Sequence, residues 1–328
     1  MSRPTRSEST TFRPTRGRSS PRRDRLPTRE RDRIAAERNG RGARVAQSAQ
    51  KLGPTGRPER FYPVPQGLER HGPARIISMC NQKGGVGKTT TTINLAAALA
   101  RYGRRVLAVD FDPQGALSAG LGVPAHDVPT IYDLMLGHEK DPQLVIQHTN
   151  TPNLDVIPAN IDLSAAEVHL VTEVAREQIL ASVLRKVVDD YDVILIDCQP
   201  SLGLLTVNAL TASHGVLIPL ACEFFALRGV ALLIETIEKV KDRLNPQLEL
   251  DGIIATMYDP RTLHAREVLE RVVHTFDEKV FDTVIGRTVK LPDASVAAKP
   301  ILEYAPGNPA SEAYLQLARE LVDRGTVA

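Results

Sequence analysis

The 328-residue chain reads as an α/β fold: a doubly wound, mostly parallel sheet with helices on both faces. Short, nearly continuous apolar runs, such as those over 105–110, 193–197 and 215–220, mark strands that are covered on both sides. Stretches of helical periodicity separate them, so strand and helix alternate from residue 75 almost to the C-terminus. Two of the runs end in aspartate, Asp110 and Asp197, and the carboxyl edge of such a sheet is where ligands bind.

The chain opens with a segment that departs from this pattern. Residues 1–72 are rich in Arg, Pro, Ser, Thr and Gly, and carry 18 Lys/Arg against 7 Asp/Glu, a charge of +11, while the remainder carries −9. The net +2 of the whole chain therefore hides a basic tail on an acidic body. With almost no apolar periodicity, the tail buries too little surface to offset its ordering entropy. It is expected to be disordered, with at most a marginal helix over 29–50. Two readings of it stay open: a non-specific tether to nucleic acid or another acidic surface, and a solubilising extension. Residues 73–328 then form one domain, close to the size of about 250 residues at which single cores stop growing. No apolar run approaches the roughly 18 residues of a membrane span, and no signal-peptide core stands at the N-terminus, so a cytoplasmic protein is expected.

The first element of the domain carries chemistry. Residues 76–80 read as a buried strand and 88–102 as a helix, with Asn81-Gln82-Lys83-Gly84-Gly85-Val86-Gly87-Lys88-Thr89-Thr90 spanning the join. Strand, glycine-rich turn and helix in that order aim backbone N–H groups inward at a phosphate. Lys88 supplies a charge for the β- and γ-phosphates, and the Thr89 hydroxyl supplies a ligand for Mg²⁺. The strict Walker A pattern asks for glycine where Gln82 stands, and a second lysine, Lys83, occupies the mouth of the loop. This is a P-loop of the deviant Walker A type.

The next strand, 105–110, ends in Asp110-Phe111-Asp112-Pro113-Gln114-Gly115 and is expected beside the strand of the loop. Asp112 is then placed to orient or activate an attacking water, with Asp110 nearer the metal; the alternative is a strand-end turn capped by aspartate. A short strand over 154–158 and helical pattern over 163–188 follow. Residues 193–197 form a Walker B strand whose Asp197 holds the Mg²⁺ shell, and Cys198-Gln199-Pro200-Ser201-Leu202-Gly203 is a loop able to sense the γ-phosphate. Strands over 215–220, 252–257 and 281–285, with helices over 227–244 and 264–276, continue the alternation through right-handed crossovers. The last helix, 311–324, aligns Tyr314, Leu315, Ala318, Leu321 and Val322 as a core face, and its mixed charges argue against a membrane surface.

Other chemistries find little support. Cys80, Cys198 and Cys222 lie in or beside apolar strands without paired metal-ligand spacing, which suits structural cysteines and argues against a shared iron–sulfur cluster. None of the eight histidines falls at metal-ligand spacing, and there is no Gly-x-Ser-x-Gly elbow.

The loop, the Asp110–Gly115 and Asp197–Gly203 motifs, and Cys222-Glu223-Phe224-Phe225-Ala226-Leu227 together resemble the ParA/Soj chromosome-partitioning ATPases of the ParA/MinD superfamily, over about 75–325. The resemblance implies an ATPase, with ATP and Mg²⁺ as its cofactors and ATP sandwiched between two subunits of a homodimer. It implies that Lys83, Gly84, Gly85, Val86, Gly87, Lys88, Thr89 and Thr90 hold the phosphates, with Lys83 reaching across to the partner's nucleotide. Thr89, Asp110 and Asp197 form the metal set, and Asp112 is the catalytic carboxylate beside Lys83 and Lys88. It further implies that the dimer binds DNA without sequence preference through Arg261, Arg287 and Lys290, on the nucleoid, and that a ParB-type partner stimulates slow hydrolysis. The adenine loop of the family usually reads Pro-Arg-Asn where Gly286-Arg287-Thr288 stands, and Gln199 replaces the first proline of the family's Cys-Pro-Pro. A MinD-like, membrane-associated positioning ATPase is the alternative within the superfamily, and no membrane partner is expected.

Overall fold

The computed structural model describes residues 51–223 and 226–328; the tail over 1–50, with its expected helix over 29–50, lies outside the described residues. Among the described residues, β1 (Arg75–Met79), β2 (Val106–Phe111), β3 (Gln147–His148), β4 (Leu154–Ile157), β5 (Val193–Cys198), β6 (Gly215–Ala221) and β7 (Glu249–Thr256) form one sheet, ordered β3-β4-β2-β5-β1-β6-β7. Every neighbouring pair is parallel except β3 with β4. The helices are α1 (Lys88–Arg101), α2 (Ala116–Gly120), α3 (Ile131–Leu136), α4 (Leu163–His169), α5 (Ile179–Leu184), α6 (Leu204–Ala212), α7 (Ala226–Arg243), α8 (Leu263–Phe276), α9 (Lys290–Val296), α10 (Ile301–Tyr304) and α11 (Pro309–Asp323).

Two cores flank the sheet, and the alternation of side chains along each strand divides the apolar runs between them. Val106, Ala108, Val193 and Leu195 pack with α1 and α11, whereas Leu107, Val109, Ile194 and Ile196 pack with α5, α6 and α7. Neither face of β2 or β5 is wet, which is why their sequences show no polar alternation. The apolar side of α11 is spent in this core, with Tyr314, Leu317, Ala318 and Leu321 all buried. Lifting it onto a membrane would forfeit these side chains at about 1.5–3 kcal/mol for each large one.

Four expectations need correction. First, β2 is not beside β1: β5 lies between them, with Met79 and Asp110 both in register with Asp197. The crossover through α1 skips one strand position, which the chain fills only when it returns as β5. Second, residues 281–285 do not form a strand; isolated bridges flank them, between Ile253 and Val280 and between Tyr258 and Gly286. Between these bridges the chain bends to α11, where the buried Glu320 carboxylate accepts the N–H groups of Asp282 at 2.7 Å and Thr283 at 2.8 Å. Third, the helical pattern over 163–188 is broken by 3₁₀ turns at Leu170–Thr172 and Arg176–Gln178, where Ala175 takes a left-handed φ of 53°. Fourth, residues 51–72, read as part of the disordered tail, lie against the domain. Tyr62 is 3% exposed, Arg57 is paired with Asp282, and His71 and Gly72 N–H are held by Asp192.

Candidate functional site

Gly85 and Gly87 take φ of 72° and 88°, a left-handed backbone that side chains resist, and this folds residues 81–87 into a tight loop. Three side chains fix the loop from behind. Asn81 accepts the Lys83 N–H at 2.9 Å and donates to the Pro219 carbonyl at 2.8 Å, tying the loop to β6. The Thr256 hydroxyl donates to the Val86 carbonyl at 2.8 Å, tying it to the end of β7. Gln82, the residue that replaces the usual glycine, donates to the Gly229 carbonyl of α7 at 3.3 Å.

The loop feeds the N-terminus of α1, whose first turn has no acidic residue and no side-chain cap. Its free N–H groups and positive dipole end are therefore available to an anion. Lys88 is 6% exposed, and its ammonium lies 3.4 Å from the Lys83 carbonyl, folded back along the loop. Thr89 and Thr90 stand in the same turn, half-buried.

Beneath this turn lies Asp197, fully buried at the carboxyl end of β5. Thr92 donates to its Oδ1 at 3.3 Å, while Oδ2 is buried without a hydrogen-bond partner. Burial, and then the charge of Asp110, push its carboxyl up to about 8; Thr89 and Lys88 pull it down only in part. A buried carboxylate with a spare oxygen, next to a hydroxyl, is the donor set that a hard divalent cation fits, since the cation would offset the cost of burying the charge. Asp110 is engaged differently. Its Oδ2 accepts the N–H of Ser118 at 2.8 Å and the hydroxyl at 2.6 Å, and burial raises its carboxyl to about 6 against these bonds. Asp110 braces the start of α2, and Asp197 is the carboxylate with an atom to spare.

Asp112 is half-buried, two residues beyond, with its Oδ1 accepting the Gln114 N–H at 3.0 Å. The loop after β5 is held by Gln199, whose amide donates to Glu167 of α4 at 3.2 Å. Lys83 behaves unlike Lys88: its side chain is 42% exposed, and its ammonium lies 2.6 Å from Glu223. The other oxygen of Glu223 lies 3.8 Å from Arg287.

Over the loop opens a cavity of about 330 Å³, walled by Gly87, Thr91, Met257, Ile285, Gly286 and Tyr314, with Arg287 and Thr288 at its edge. Apolar walls and a few polar groups, next to a phosphate cradle, suit a flat heterocycle. Larger hollows of about 710 Å³ and about 750 Å³ lie beside residues 53–62 and 113–127.

Of the three basic positions, Arg261 is 87% exposed but forks onto Asp259 at 2.9 and 2.8 Å. Lys290 lies 3.2 Å from Asp293, and the loops of Arg261 and Arg287 are joined by a 3.0 Å bond from Arg287 N–H to the Tyr258 carbonyl. The structure thus brings Lys88, Thr89 and Asp197 together at one point, and Gly286 and Thr288 at the adjoining cavity. Thr256, Ser118 and Thr92 carried no signal in the sequence, being single hydroxyls at strand ends or inside helices. Asn81 and Glu223 stood inside recognisable motifs but had no assigned role.

A family profile described as an AAA domain matches residues 74–250. The chain is 59% identical over 274 residues to an uncharacterised protein of Mycobacterium tuberculosis, spanning 83% of this chain and 86% of that one. It is 50% identical over 250 residues to the chromosome-partitioning ATPase Soj of Treponema pallidum, spanning 76% of this chain and 98% of Soj. Among solved structures, cobyrinic acid a,c-diamide synthase of Mycobacterium smegmatis with bound ATP analogue and magnesium is 39% identical, with a TM-score of 0.68 over 77% of this chain and 96% of that one. The cell division ATPase MinD of Pyrococcus furiosus is 29% identical, with a TM-score of 0.65 over 76% and 99%. Motifs, sheet order and relatives agree: the chain belongs to the ParA/Soj family of chromosome-partitioning ATPases.

Proposed function

We propose that the chain binds Mg·ATP in the P-loop site, dimerises around it, holds DNA without sequence preference in that state, and hydrolyses ATP slowly until a ParB-type partner stimulates it. The observation that carries this reading is the unequal setting of two lysines on one glycine loop. Lys88 is buried over its own phosphate cradle, while Lys83 stands half-exposed at the surface, held by a surface carboxylate. A lysine in Lys88's setting serves the nucleotide of its own subunit, and one in Lys83's setting can exchange its surface carboxylate for a neighbour's phosphate.

The N–H groups of residues 85–89 and the Lys88 ammonium bind the β- and γ-phosphates in a site shielded from water. Thr89 and Asp197 would hold Mg²⁺, which supplies charge neutralisation between those phosphates. Asp112 orients the attacking water; it is half-buried, with Oδ1 accepting the N–H of Gln114 two residues on, whereas Asp110 and Asp197 are fully buried. The base lies in the cavity between Met257, Ile285 and Tyr314. Arg261, Arg287 and Lys290 contact DNA phosphates, and the basic residues of 1–50 add nucleotide-independent attraction. The protein then works in the cytoplasm on the nucleoid. A MinD-like membrane role is disfavoured because α11 is packed into the core and no helix among the described residues is long and apolar enough to cross a membrane.

The test is the mass of the full chain by light scattering with Mg·ATP, Mg·ADP and neither. A dimer with ATP alone, absent in Lys83→Ala, supports the reading; a mass unmoved by nucleotide refutes it.

A further inference from the structure

Residues 51–62 follow no helical or strand pattern, yet their polar side chains converge on one carboxylate. Arg57 donates at 2.9 Å to Asp282 and at 2.9 Å to the Val280 carbonyl, and also to the Asp277 carbonyl. The Tyr62 hydroxyl donates to the second oxygen of Asp282 at 2.9 Å, and Thr55 and Arg60 approach at 3.5 and 3.8 Å. The pair is well shielded, with side-chain exposures of 19% for Arg57 and 11% for Asp282. Burial would raise the Asp282 carboxyl, but the bonds from Arg57 and Tyr62 hold it below its ordinary value.

Asp282 sits in the segment that leads into the cavity over the loop. Phe281 and Ile285 N–H are bonded to β7 at 3.0 and 2.9 Å, and Ile285 and Gly286 form part of the cavity wall. Between those two anchors, Asp282 and Thr283 have no β7 partner; both N–H groups are held by Glu320, and the Asp282 carboxylate is held by the 51–62 segment. The same segment reaches the far end of the loop, where Pro54 shares a hollow with Gly286, Arg287 and Thr288. One stretch of chain therefore holds the wall at Asp282 and borders the hollow at its other end, beside residues 286–288.

We infer that residues 51–62 are a strap that positions the base-binding wall, with Arg57 and Asp282 as its positioning pair, so that the affinity for the nucleoside part of the ligand depends on a segment just after the basic tail. The inference rests on the reading that the 330 Å³ cavity takes the base. Arg57 touches neither phosphate nor base; it acts through residues 282–288. The N–H groups that bind phosphate belong to a different anchorage, at Asn81, Gln82 and Thr256, so loss of the strap separates base binding from phosphate binding.

The experiment uses the full chain and its Arg57→Ala, Arg57→Lys and Tyr62→Phe variants. Affinities for a fluorescent ADP and, by competition, for inorganic tripolyphosphate are measured, with thermal melts to confirm folding. Arg57→Ala should weaken ADP about three- to tenfold, a factor of ten being the effect of one lost charge-assisted bond. Tripolyphosphate should stay within about twofold, and Arg57→Lys should recover part of the ADP affinity because it keeps the charge without the fork. Equal weakening of both ligands would make the strap a general support and overturn the inference, as would no change in either. Lys88→Ala is the separate control. If it leaves both affinities at the wild-type value, the failure belongs to the assignment of the site and not to the strap.

Discussion

Thr256→Val tests whether the end of β7 holds the phosphate loop. The substitution keeps the shape of the side chain and removes one hydroxyl, which donates at 2.8 Å to the Val86 carbonyl where both residues are 2% exposed. A buried carbonyl deprived of its donor costs about 1–3 kcal/mol, because water cannot replace the bond. For a domain of this size each kcal/mol lowers Tm by about 2–4 °C, so a fall of about 2–12 °C is expected. The loop is also the proposed ligand cradle, and the part of the loss felt there should weaken ADP binding about three- to tenfold. Calorimetric melting and titration with ADP measure the two effects on the same sample. Melting and affinity both at wild-type values would show that Thr256 does not hold the loop and that its ties to β6 and α7, through Asn81 and Gln82, suffice.

Three other changes separate the roles assigned above. Lys88→Ala should lose nucleotide binding by at least about tenfold, measured by equilibrium titration, since the phosphates lose a buried charge. Lys83→Ala should bind ATP normally and stay monomeric, whereas Asp112→Ala should bind ATP, slow phosphate release in single-turnover assays, and accumulate as the dimer. The carboxyl of Asp282 is held below its ordinary value in the fold, so the stability it contributes is complete above about pH 4 and is lost as pH falls through the folded value. Thermal melts between pH 6 and 2.5 should show a shallower acid loss for Asp282→Asn than for the wild type.

The strands, the loop and its helix were legible because each states its environment locally: β2 and β5 are apolar on both faces, and Gly85 and Gly87 mark left-handed backbone. The order of strands was not, because nothing in the run that follows α1 records that a later strand, β5, will enter beside β1. The segment over 281–285 carries strand-like residues, yet its backbone is claimed by Glu320, which lies about forty positions away in α11. The strap shows the same limit. Thr55 and Tyr62 are buried, but glycines and prolines around them break any periodicity, and its hold on the domain is made by the Arg57–Asp282 ion pair and the Tyr62 hydroxyl bond that only the tertiary fold assembles. At the site, Lys88, Thr89 and Asp197 followed from motif spacing. Glu223 beside Lys83 did not, since a surface ion pair leaves no mark in the chain order.

The central claim is that ATP switches a DNA-holding state on. It is tested most directly by the retention of the full chain on duplex DNA of arbitrary sequence, titrated with salt, in Mg·ATP, Mg·ADP and no nucleotide. The basic residues of 1–50 are present in all three conditions, so they add a shared component. The account predicts a further component in ATP alone, with the slope of log affinity against log salt steeper by about 0.9 for each phosphate neutralised, and its loss in Arg261→Ala with Lys290→Ala. Identical retention curves in ATP, ADP and no nucleotide would contradict it.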